Sequence, residues 1–548
     1  MIEKIVKLLS KNIFLVLIVV ISFLYLIPIL QPGFFIGHDN TPQVARIAAR
    51  IQAIQDGQFP PRWAGELNYG YGIPGFIFFY SLSGYLGSFL YFLGFSLENS
   101  YELLMVLTFT LSPFFFYLWT NQFLKNKYAF VSSLFYGLAP YSFLDTFVRA
   151  HLGESLALAL IPMTLYFIEK NLKKPSINFV IFGGITQALL ILSHSILSFM
   201  FTFIFFGYIL VKSYHNVKTF ITSIGILTTG LLLTIYFWLP ALYEGKYINS
   251  KVFLSDWYKD HFISFSNIIY SKWGFGSNIN DPGGLSAQIG PIHAVLVLVS
   301  FYFIFKKSKD RLIMFFWIII FVIAVFMSTS SSGFIWSKLH ILQQFQFPWR
   351  FTALSSFSAA VLTGYALQKL NSKKVLTLSL IGLLILGIPM SKIWKNETRG
   401  DKYYFKYPGT TAYHNEATTI WVAGDAYEYP KRKVEIISGK GNVEKYTRKS
   451  NLHTFYINAA TDISILDNTV YFPGWRAEVD GKKTTIEFQD QNHRGLITFK
   501  VPQGEHKVEV KFGESPVRLI SDMISLFGIL TVVFLLVSKK WIKRYLKI

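Results

Sequence analysis

Apolar runs of about 20 residues recur along most of this chain, and they constrain its fold more than any other feature. An α-helix needs a run of that length to cross the hydrocarbon core of a bilayer. Only 15% of the 548 residues are charged, against roughly 25% in a soluble globular protein. The sequence therefore predicts a polytopic α-helical membrane protein. The first run, at residues 12–30, is too long for a signal peptide and lacks a small-residue cleavage site, so we expect an uncleaved span.

The net charge of +21 is explained by membrane topology rather than by a nucleic-acid partner. Lys and Arg accumulate in cytoplasmic loops, and here they collect between the apolar runs, for example at Lys125, Lys127, Lys306 and Lys309, and in the C-terminal tail. We expect a multi-pass plasma-membrane protein with both termini in the cytoplasm and no nucleic-acid partner. Cysteine is absent, which excludes disulfides and thiolate metal sites but identifies no compartment.

Residues 74–95 decide the number of spans. This run is apolar enough to cross, but a crossing would place the basic loops that follow it outside the membrane. If it lies in the interface instead, every later basic loop falls inside, as the positive-inside rule requires. We therefore predict a juxtamembrane segment here and about twelve spans in all. These are residues 12–30, 101–123, 128–144, 154–168, 177–192, 196–211, 220–239, 292–305, 312–326, 351–370, 375–390 and 517–537.

The spans divide the chain into three predicted parts. Residues 1–391 form a transmembrane domain with long outside loops at residues 31–100 and 242–291. Residues 392–515 contain no span and are predicted to lie outside the cytoplasm. Residues 516–548 provide a final span and a basic cytoplasmic tail.

The pattern of residues 392–515 is that of β-structure. Leu452–Ala459, Leu496–Val501 and several similar stretches alternate between apolar and polar residues or run apolar. Asp480-Gly481, between two such stretches, is a strong signal for a hairpin turn. We expect a small extracytoplasmic β-sandwich before the last span.

A helix is predicted directly after Asp39. Asn40 or Thr41 can cap it, Pro42 suits its first turn and Gly57 can end it. Apolar residues recur at helical spacing on one face and polar residues on the other, which predicts an amphipathic helix on the membrane surface. The apolar face comprises Val44, Ile47, Ala48, Ile51 and Ile54, and the polar face Gln43, Arg46 and Arg50.

The surroundings of Asp39 suit an anionic ligand. A helix N-terminus attracts anions, and Arg46, Arg50 and Arg62 could hold a phosphate through paired hydrogen bonds. We therefore expect Asp39 to act as a base next to a lipid phosphate. The alternative is that Asp39 only caps the helix and that the arginines bind lipid headgroups.

Asp145, Arg149, His151 and Glu154 form a second polar cluster, in the next outside loop. Four ionisable residues this close to apolar runs are costly unless they serve a purpose. They could position an acceptor or a divalent metal, although their spacing matches no specific metal signature. They could equally pair with one another as an interfacial salt-bridge cluster.

His194 and Arg350 are further candidates at the outer ends of spans. His194 could contact a substrate, and Arg350, which closes an outside loop, could hold a lipid phosphate. The alternatives are a structural hydrogen bond for His194 and snorkelling to headgroups for Arg350. No Walker A motif occurs, which disfavours a nucleotide-driven pump.

Five short motifs are spread over most of the chain. They are Gly37-His38-Asp39, Arg149-Ala150-His151-Leu152-Gly153-Glu154, Trp273-Gly274-Phe275-Gly276, Gln346-Phe347-Pro348-Trp349-Arg350 and Tyr471-Phe472-Pro473-Gly474-Trp475. The first motif, followed by a helix and by Phe59-Pro60-Pro61-Arg62-Trp63, resembles the first outside loop of the GT-C superfamily of membrane glycosyltransferases. Within that superfamily, the five motifs together are similar to YfhO-like proteins and to bacterial membrane proteins described as 6-pyruvoyl-tetrahydropterin synthase-related.

The resemblance implies that a sugar passes from a polyprenyl-phosphate carrier to a glycan, lipid or protein acceptor outside the cytoplasm. Asp39 would match the first-loop catalytic acid of the superfamily, and Glu154 or Asp145 its second acidic position. His38, rather than a second carboxylate, stands beside Asp39. No residue is therefore assigned as a metal ligand, and a divalent metal stays an open alternative.

The expected reaction is a single displacement. Asp39 takes the proton of the acceptor hydroxyl, and Arg50, Arg62 or Arg350 stabilises the departing phosphate. A lipid-linked glycan transporter remains a rival, but it should carry ionisable residues at mid-span, and this chain places nearly all of them at span ends. A non-catalytic cell-envelope assembly protein is the second rival. The other residues expected to bind substrate are His38, Arg149, His151, Glu154 and His194.

Overall fold

The computed structural model describes residues 12–250, 256–306, 308–394, 396–412 and 415–545, and in this part of the chain helices dominate up to residue 391. They run at Ile13–Leu26, Asn40–Gln55, Gly75–Phe78, Leu82–Phe92, Leu97–Thr120, Asn126–Gly137, Pro140–Phe143, Leu152–Lys173, Ile177–Ser193, Ser195–Ser213, Val217–Leu233, Ile235–Glu244, Phe265–Ile269, Pro291–Ile304, Arg311–Ser328, Gly333–Lys338, His340–Gln343, Thr352–Leu370 and Lys373–Gly387, with Asp401–Phe405 and Pro516–Tyr545 further along. A π-helix occupies Leu144–Arg149, and 3₁₀ turns occupy Gly245–Tyr247, Asp256–His261, Ser330–Ser332, Pro348–Phe351 and Pro389–Ser391.

Each apolar run predicted to span the membrane contains a helix in the structure. Six of the described helices are long and apolar enough to cross a bilayer, or seven if the pair Val217–Leu233 and Ile235–Tyr247, bent by 64°, is one broken span. Ile13–Leu26, Ile177–Ser193 and Pro291–Ile304 are apolar but shorter. The chain is therefore a helical membrane-like protein, and the count of twelve spans stays a prediction.

Residues 74–95 form no spanning helix. They are divided into Gly75–Phe78 and the 11-residue helix Leu82–Phe92, which is about 16 Å long at 1.5 Å per residue and so covers roughly half of a 30 Å hydrocarbon core. Glycines let this helix approach its neighbour closely: a Cβ at Gly84 would lie 2.4 Å from Arg50 Nε, and one at Gly87 2.5 Å from Ile47 Cδ1. The segment thus packs against the helix that follows Asp39.

That helix, Asn40–Gln55, is enclosed rather than exposed on one face, which corrects the prediction of a surface amphipathic helix. The predicted apolar face is buried, but on the predicted polar face Gln43 and Arg50 are also only 5% and 2% exposed. The physical reason is tertiary: the helix Leu82–Phe92 and the segment around Thr411 cover the side that the sequence pattern assigned to water.

An antiparallel β domain follows the helices, as predicted. Its strands are β3 (Val434–Ser438), β4 (Gly441–Lys449), β5 (Leu452–Ala459), β6 (Ile463–Val470), β7 (Trp475–Val479), β8 (Lys482–Thr484), β9 (Leu496–Val501) and β10 (Gly504–Phe512). They form one sheet in the order β4-β5-β10-β7-β8 and another in the order β3-β6-β9. Side chains from both sheets, such as Phe455, Ile465, Phe499 and Val508, share one buried core.

The predicted hairpin turn at Asp480-Gly481 joins β7 to β8, since Val479 pairs with Lys482 and both turn residues have positive φ. Strands β4 and β6 were not predicted. Strand β4 alternates between half-buried and exposed residues and is rich in charge, and β6 carries the polar pair Asp467-Asn468 inside an otherwise apolar run. The division of the chain at residues 391 and 515, and the side of the membrane on which the β domain lies, stay predictions.

Several contacts join residues 34–71 to the β domain and to the segment before it, among them hydrogen bonds from Gln58 to Ser450 and from Arg448 to Gly65 O. Trp63 packs against Trp475 and Phe512, with ring centroids 5.2 Å apart in each case. A short strand β1 (Phe34–Phe35) pairs with β2 (Asn396–Glu397). The loop that carries Asp39 is therefore fixed between the helices and the segment leading to the β domain.

Candidate functional site

A cavity of about 730 Å³ opens beside the start of the helix Asn40–Gln55. Six of the nine residues predicted for the site line it, and Glu154 lies directly beneath, in contact with Arg149. Arg50 and Arg62 are not among the lining residues. The six are His38, Asp39, Arg149, His151, His194 and Arg350.

Backbone hydrogen bonds place Asp39 next to Arg149. The amide of His38 donates to Val148 O at 3.0 Å, and that of Asp39 donates to Arg149 O at 2.9 Å. This approach requires Gly37, because a Cβ there would lie 2.4 Å from the Cβ of Ala150. Two of the five motifs that carry the resemblance, residues 37–39 and 149–154, are thus in contact with each other. Val148 and Arg149 belong to the π-helix, a conformation that is frequent at functional sites.

The carboxylate of Asp39 faces the cavity and does not cap the helix. Asp39 precedes Asn40–Gln55, but its side chain makes no capping hydrogen bond. The side chain is 41% exposed, and Oδ2 lies 3.9 Å from Arg149 Nη2. His38 is held apart, with Nε2 at 2.7 Å from Phe275 O. Asp39 is therefore an accessible acid with a guanidinium beside it.

Arg149 is the centre of a buried ionic network. Its Nη1 donates to Glu154 Oε2 at 2.6 Å and to Asp145 Oδ1 at 3.1 Å, and its guanidinium lies 4.8 Å from the ring centroid of Trp349. Burial opposes the charge, but Glu154 and Asp145 raise the pKa of Arg149 above its usual value. Burial, with the neighbouring Glu154, raises the pKa of Asp145 well above its usual range. The charged residues of the second polar cluster thus form ion pairs with one another, and Arg149 also lines the cavity.

His151 and His194 cap the two helices that begin at this cavity. Nδ1 of His151 accepts from the amide of Glu154 at 3.1 Å, and Nδ1 of His194 accepts from the amide of Leu197 at 3.2 Å. Burial lowers the pKa of His194 to about 3 and that of His151 well below its usual value, so both rings are neutral. Because Nδ1 accepts, the ring proton of each histidine is on Nε2. His151 Nε2 lies 2.6 Å from the hydroxyl of Tyr80.

The geometry of His151, Glu154 and His194 brings three potential metal ligands within 4.8 Å of one another. Their chemistry does not fit a metal, because the lone pairs on Nδ1 are used and the Nε2 atoms carry protons. Glu154 is already bound to Arg149 and lies 3.9 Å from Arg350 Nε. Two guanidiniums supply the positive charge that a cation would bring, so we assign no metal to this cluster.

Arg350 is an incompletely satisfied cation at the wall of the cavity. It is 5% exposed, and its Nη1 donates to Phe345 O at 2.6 Å and to Gln346 Oε1 at 3.1 Å. Its buried Nε has no hydrogen-bond partner. Burial lowers the pKa of this guanidinium, against the attraction of Glu154. On the Nε side, Glu154 Oε2 at 3.9 Å is the counter-ion of this guanidinium, which also lines the cavity.

Of Arg46, Arg50 and Arg62, only Arg46 lines the cavity. It lines the wall, lies 4.0 Å from the ring centroid of Phe79 and donates from Nε to Thr411 Oγ1 at 3.1 Å. Arg50, one turn further from Asp39, lies over Phe76 and Tyr85 instead. The sequence named Arg46, with Arg50 and Arg62, as a possible phosphate ligand, but Arg46 was not among the residues expected to take part in the reaction. Its closer spacing to Asp39 was the signal that could have selected it.

Arg62 is part of a different contact. It donates to Asp522 Oδ1 at 2.5 Å and to Tyr236 O at 2.9 Å, and it lies 3.5 Å from Glu514. These partners belong to the broken helix pair and to the start of the C-terminal helix. Arg62 therefore links the segment after the helix Asn40–Gln55 to the end of the β domain and to the C-terminal helix.

Several lining residues had no sequence signal. Tyr80, Trp257 and Glu416 come from separate segments, and nothing in their local pattern distinguishes them from residues of ordinary loops. Trp349 was quoted only as part of a motif. These residues enter the site through tertiary folding.

Comparisons with known proteins support a family but not a specific activity. A family model described as "6-pyruvoyl-tetrahydropterin synthase related domain; membrane protein" matches residues 76–396. A protein of Lactococcus lactis subsp. cremoris (strain MG1363), called "Uncharacterized protein", is 23% identical over 274 residues, which are 47% of this chain and 44% of that protein. The chain thus matches less than half the length of this relative.

Solved structures similar to this chain include two glycosyltransferases of the GT-C superfamily. The arabinofuranosyltransferase AftD from Mycobacteria has a TM-score of 0.47 and 11% identity, with 69% of this chain and 26% of that chain covered. The apo oligosaccharyltransferase of Archaeoglobus fulgidus has a TM-score of 0.46 and 15% identity, with 78% and 62% covered. TM-scores at this level do not indicate a shared activity.

Proposed function

This chain belongs to the 6-pyruvoyl-tetrahydropterin synthase related family of membrane proteins, and we propose that it is a membrane glycosyltransferase. The donor is a sugar on a polyprenyl-phosphate carrier, and the acceptor is an extracytoplasmic glycan, lipid or protein. The protein lies in the plasma membrane with both termini in the cytoplasm, and the cavity and the β domain are on the outside. The observation that carries the proposal is the accessible carboxylate of Asp39 in a cavity lined by three arginines.

The three arginines suit the phosphate of the donor. Arg46, Arg149 and Arg350 reach the cavity from three separate segments of the chain. Guanidinium groups bind phosphate through paired hydrogen bonds, and a desolvated site strengthens each of them. In this assignment Arg46 takes the place that the sequence gave to Arg50 and Arg62.

Asp39 is the base. Its carboxylate takes the proton of an acceptor hydroxyl as that oxygen attacks the anomeric carbon of the sugar. The bond between the anomeric carbon and the phosphate oxygen breaks, and its electron pair leaves with the phosphate, where the arginines stabilise the charge. A single displacement of this kind inverts the anomeric configuration.

Glu154 has a supporting role rather than a catalytic one. It is fully buried, is bound to Arg149 at 2.6 Å, and accepts a hydrogen bond from the hydroxyl of Tyr141. A carboxylate in that position cannot reach a substrate in the cavity. It holds Arg149 charged and oriented, and the neutral His194, 3.7 Å away, adds a further contact.

Transfer of a labelled sugar from polyprenyl phosphate in isolated membranes tests the proposal. We expect activity in the wild type and a loss of about 100-fold or more in Asp39→Asn, because general-base catalysis contributes on that scale. Asp462→Asn is the matched control, since Asp462 is exposed in the β domain and should be dispensable. A glycan transporter or an assembly protein would show no transfer in the wild type, and undiminished transfer in Asp39→Asn would remove Asp39 from this role.

A further inference from the structure

Two carboxylates line the cavity among the described residues, and Glu416 is the one that the reaction above does not use. It lies in the loop between the helix Asp401–Phe405 and strand β3, and sequence patterns gave no reason to select it. Its position is unusual in that it faces a cavity with three cations and yet forms an ion pair with none of them.

Few neighbouring groups stabilise a negative charge on the carboxylate of Glu416. The side chain is half-buried, no ion pair of Glu416 occurs within the described ranges, and its one hydrogen bond is a long one of 3.4 Å from Gln346 Nε2. Burial raises the pKa of Glu416 to about 7, against the opposing effect of Arg46 and Arg350. Burying a carboxylate without a partner is costly, so a ligand that donates hydrogen bonds to it would account for its presence.

The loop itself is fixed by contacts that do not involve Glu416. Thr410 Oγ1 donates to Asn415 Oδ1 at 2.8 Å, and Thr418 Oγ1 donates to Asn415 O at 2.7 Å. Arg46 holds Thr411 from the opposite side. Glu416 is thus held in position before any ligand arrives, which is what a specificity residue requires.

Gln346 links Glu416 to the arginine wall. Arg350 Nη1 donates to Gln346 Oε1 at 3.1 Å, and Gln346 Nε2 faces Glu416 Oε2 at 3.4 Å. If the donor phosphate contacts Arg350, the next groups along the wall are therefore an amide and a carboxylate. The sugar of the donor is bonded directly to that phosphate, so its hydroxyls fall within reach of these two side chains.

We propose that Gln346 and Glu416 bind the hydroxyl groups of the transferred sugar and restrict the donor to neutral, hydroxyl-rich sugars. This inference rests on the proposed function. A carboxylate accepts hydrogen bonds from vicinal hydroxyls, whereas it repels the carboxylate of a uronic acid. A site built to bond a hydroxyl also discriminates against a deoxy sugar, because its polar groups are then left unpaired.

The test compares polyprenyl phosphates that carry a neutral hexose, the corresponding deoxy sugar and the corresponding uronic acid. Wild-type protein should prefer the neutral hexose. Glu416→Gln should raise the KM for that donor about 10-fold, as expected for the loss of one hydrogen bond to a charged group, and should accept the uronic acid better. Gln346→Ala should reduce the preference over the deoxy sugar. Glu428→Gln, an exposed glutamate of the same segment, is the matched control.

Two further readouts separate recognition from folding. Binding of polyprenyl phosphate without a sugar should be unchanged in Glu416→Gln, because the arginines are intact. In the wild type the KM for the hexose donor should fall as the pH rises through about 7, since ionised Glu416 is the better acceptor, whereas Glu416→Gln should lack this dependence. The charged groups facing Glu416 are Arg46 and Arg350.

The outcomes distinguish the two proposals. If the wild type transfers sugar but Glu416→Gln keeps the same KM, pH profile and ranking of donors, the specificity assignment is wrong and the glycosyltransferase proposal stands. A preference of the wild type for the uronic acid would also overturn the assignment. If the wild type transfers none of the sugars, the proposed function itself fails.

Discussion

Asp39 and Glu154 belong to one site but differ in burial, and this difference gives the two acids different roles. Asp39 is 41% exposed and lies 3.9 Å from Arg149, whereas Glu154 is fully buried and bound to the same arginine at 2.6 Å. The accessible carboxylate can contact a substrate and move a proton. The buried one can only stabilise a neighbour. Both were candidates from sequence, and only their depth in the structure separates them.

Replacing Glu154 by Gln should destabilise the protein. Arg149 would remain charged and buried without its closest counter-ion, and breaking such a pair costs about 3–5 kcal/mol. Thermal unfolding in detergent should show a clearly lower midpoint for Glu154→Gln than for wild type. The surface replacement Glu505→Gln should leave the midpoint unchanged. An unaltered midpoint in Glu154→Gln would mean that Glu154 is not the counter-ion that holds Arg149.

At the scale of single elements, sequence patterns predicted the helices and turns that depend on local structure alone. The apolar runs, the helix after Asp39 and the turn at Asp480-Gly481 are all present. The surroundings of the helix Asn40–Gln55 were not predictable, because hydrophobic periodicity cannot show that a second helix and a distant loop will cover a polar face. For the same reason Arg50 and Arg62 were predicted beside Asp39, although they bind elsewhere.

The contact between the loop of Asp39 and the π-helix should tolerate no added atoms. In Gly37→Ala the new Cβ would lie 2.4 Å from that of Ala150, so the backbone at His38 and Asp39 must shift. A displacement of about 1 Å at a reacting group can cost roughly 100-fold in rate. We expect a loss of that order in sugar transfer.

Gly245→Ala is the control for this change. A Cβ at Gly245 would meet nothing within 4 Å, and its φ of −55° suits alanine. Equal activity and equal expression of the two variants would show that the close approach at Gly37 does not position Asp39.

At the scale of the whole molecule, the site depends on the joining of distant segments. The cavity takes side chains from the segment around Asp39, from the turns before three helices, from residues 257–285 and from the loop that leads to the β domain. The distribution of charge in the sequence predicts that these groups lie on one side of the membrane, and six of the nine residues expected for the site do line one cavity. Glu416 and Tyr80 were missed because only the folded chain brings them there.

The orientation of the chain can be measured by labelling single cysteines, because the sequence contains no cysteine. Asp462→Cys in the β domain should react with a membrane-impermeant maleimide in intact cells. Lys127→Cys, exposed in the first turn of the helix Asn126–Gly137, should react only after permeabilisation if residues 74–95 do not cross. Labelling of Lys127→Cys in intact cells would show instead that this segment is a span.

The central claim is that Asp39 performs chemistry at a site where arginines hold the donor phosphate. It is tested most directly by measuring sugar transfer and polyprenyl-phosphate binding on the same preparations of wild type, Asp39→Asn and Arg350→Gln. Asp39→Asn should bind the carrier within about threefold of wild type while its transfer rate falls about 100-fold or more. Arg350→Gln should lose carrier affinity. Transfer by Asp39→Asn at the wild-type rate, or unchanged carrier affinity in Arg350→Gln, would contradict the claim.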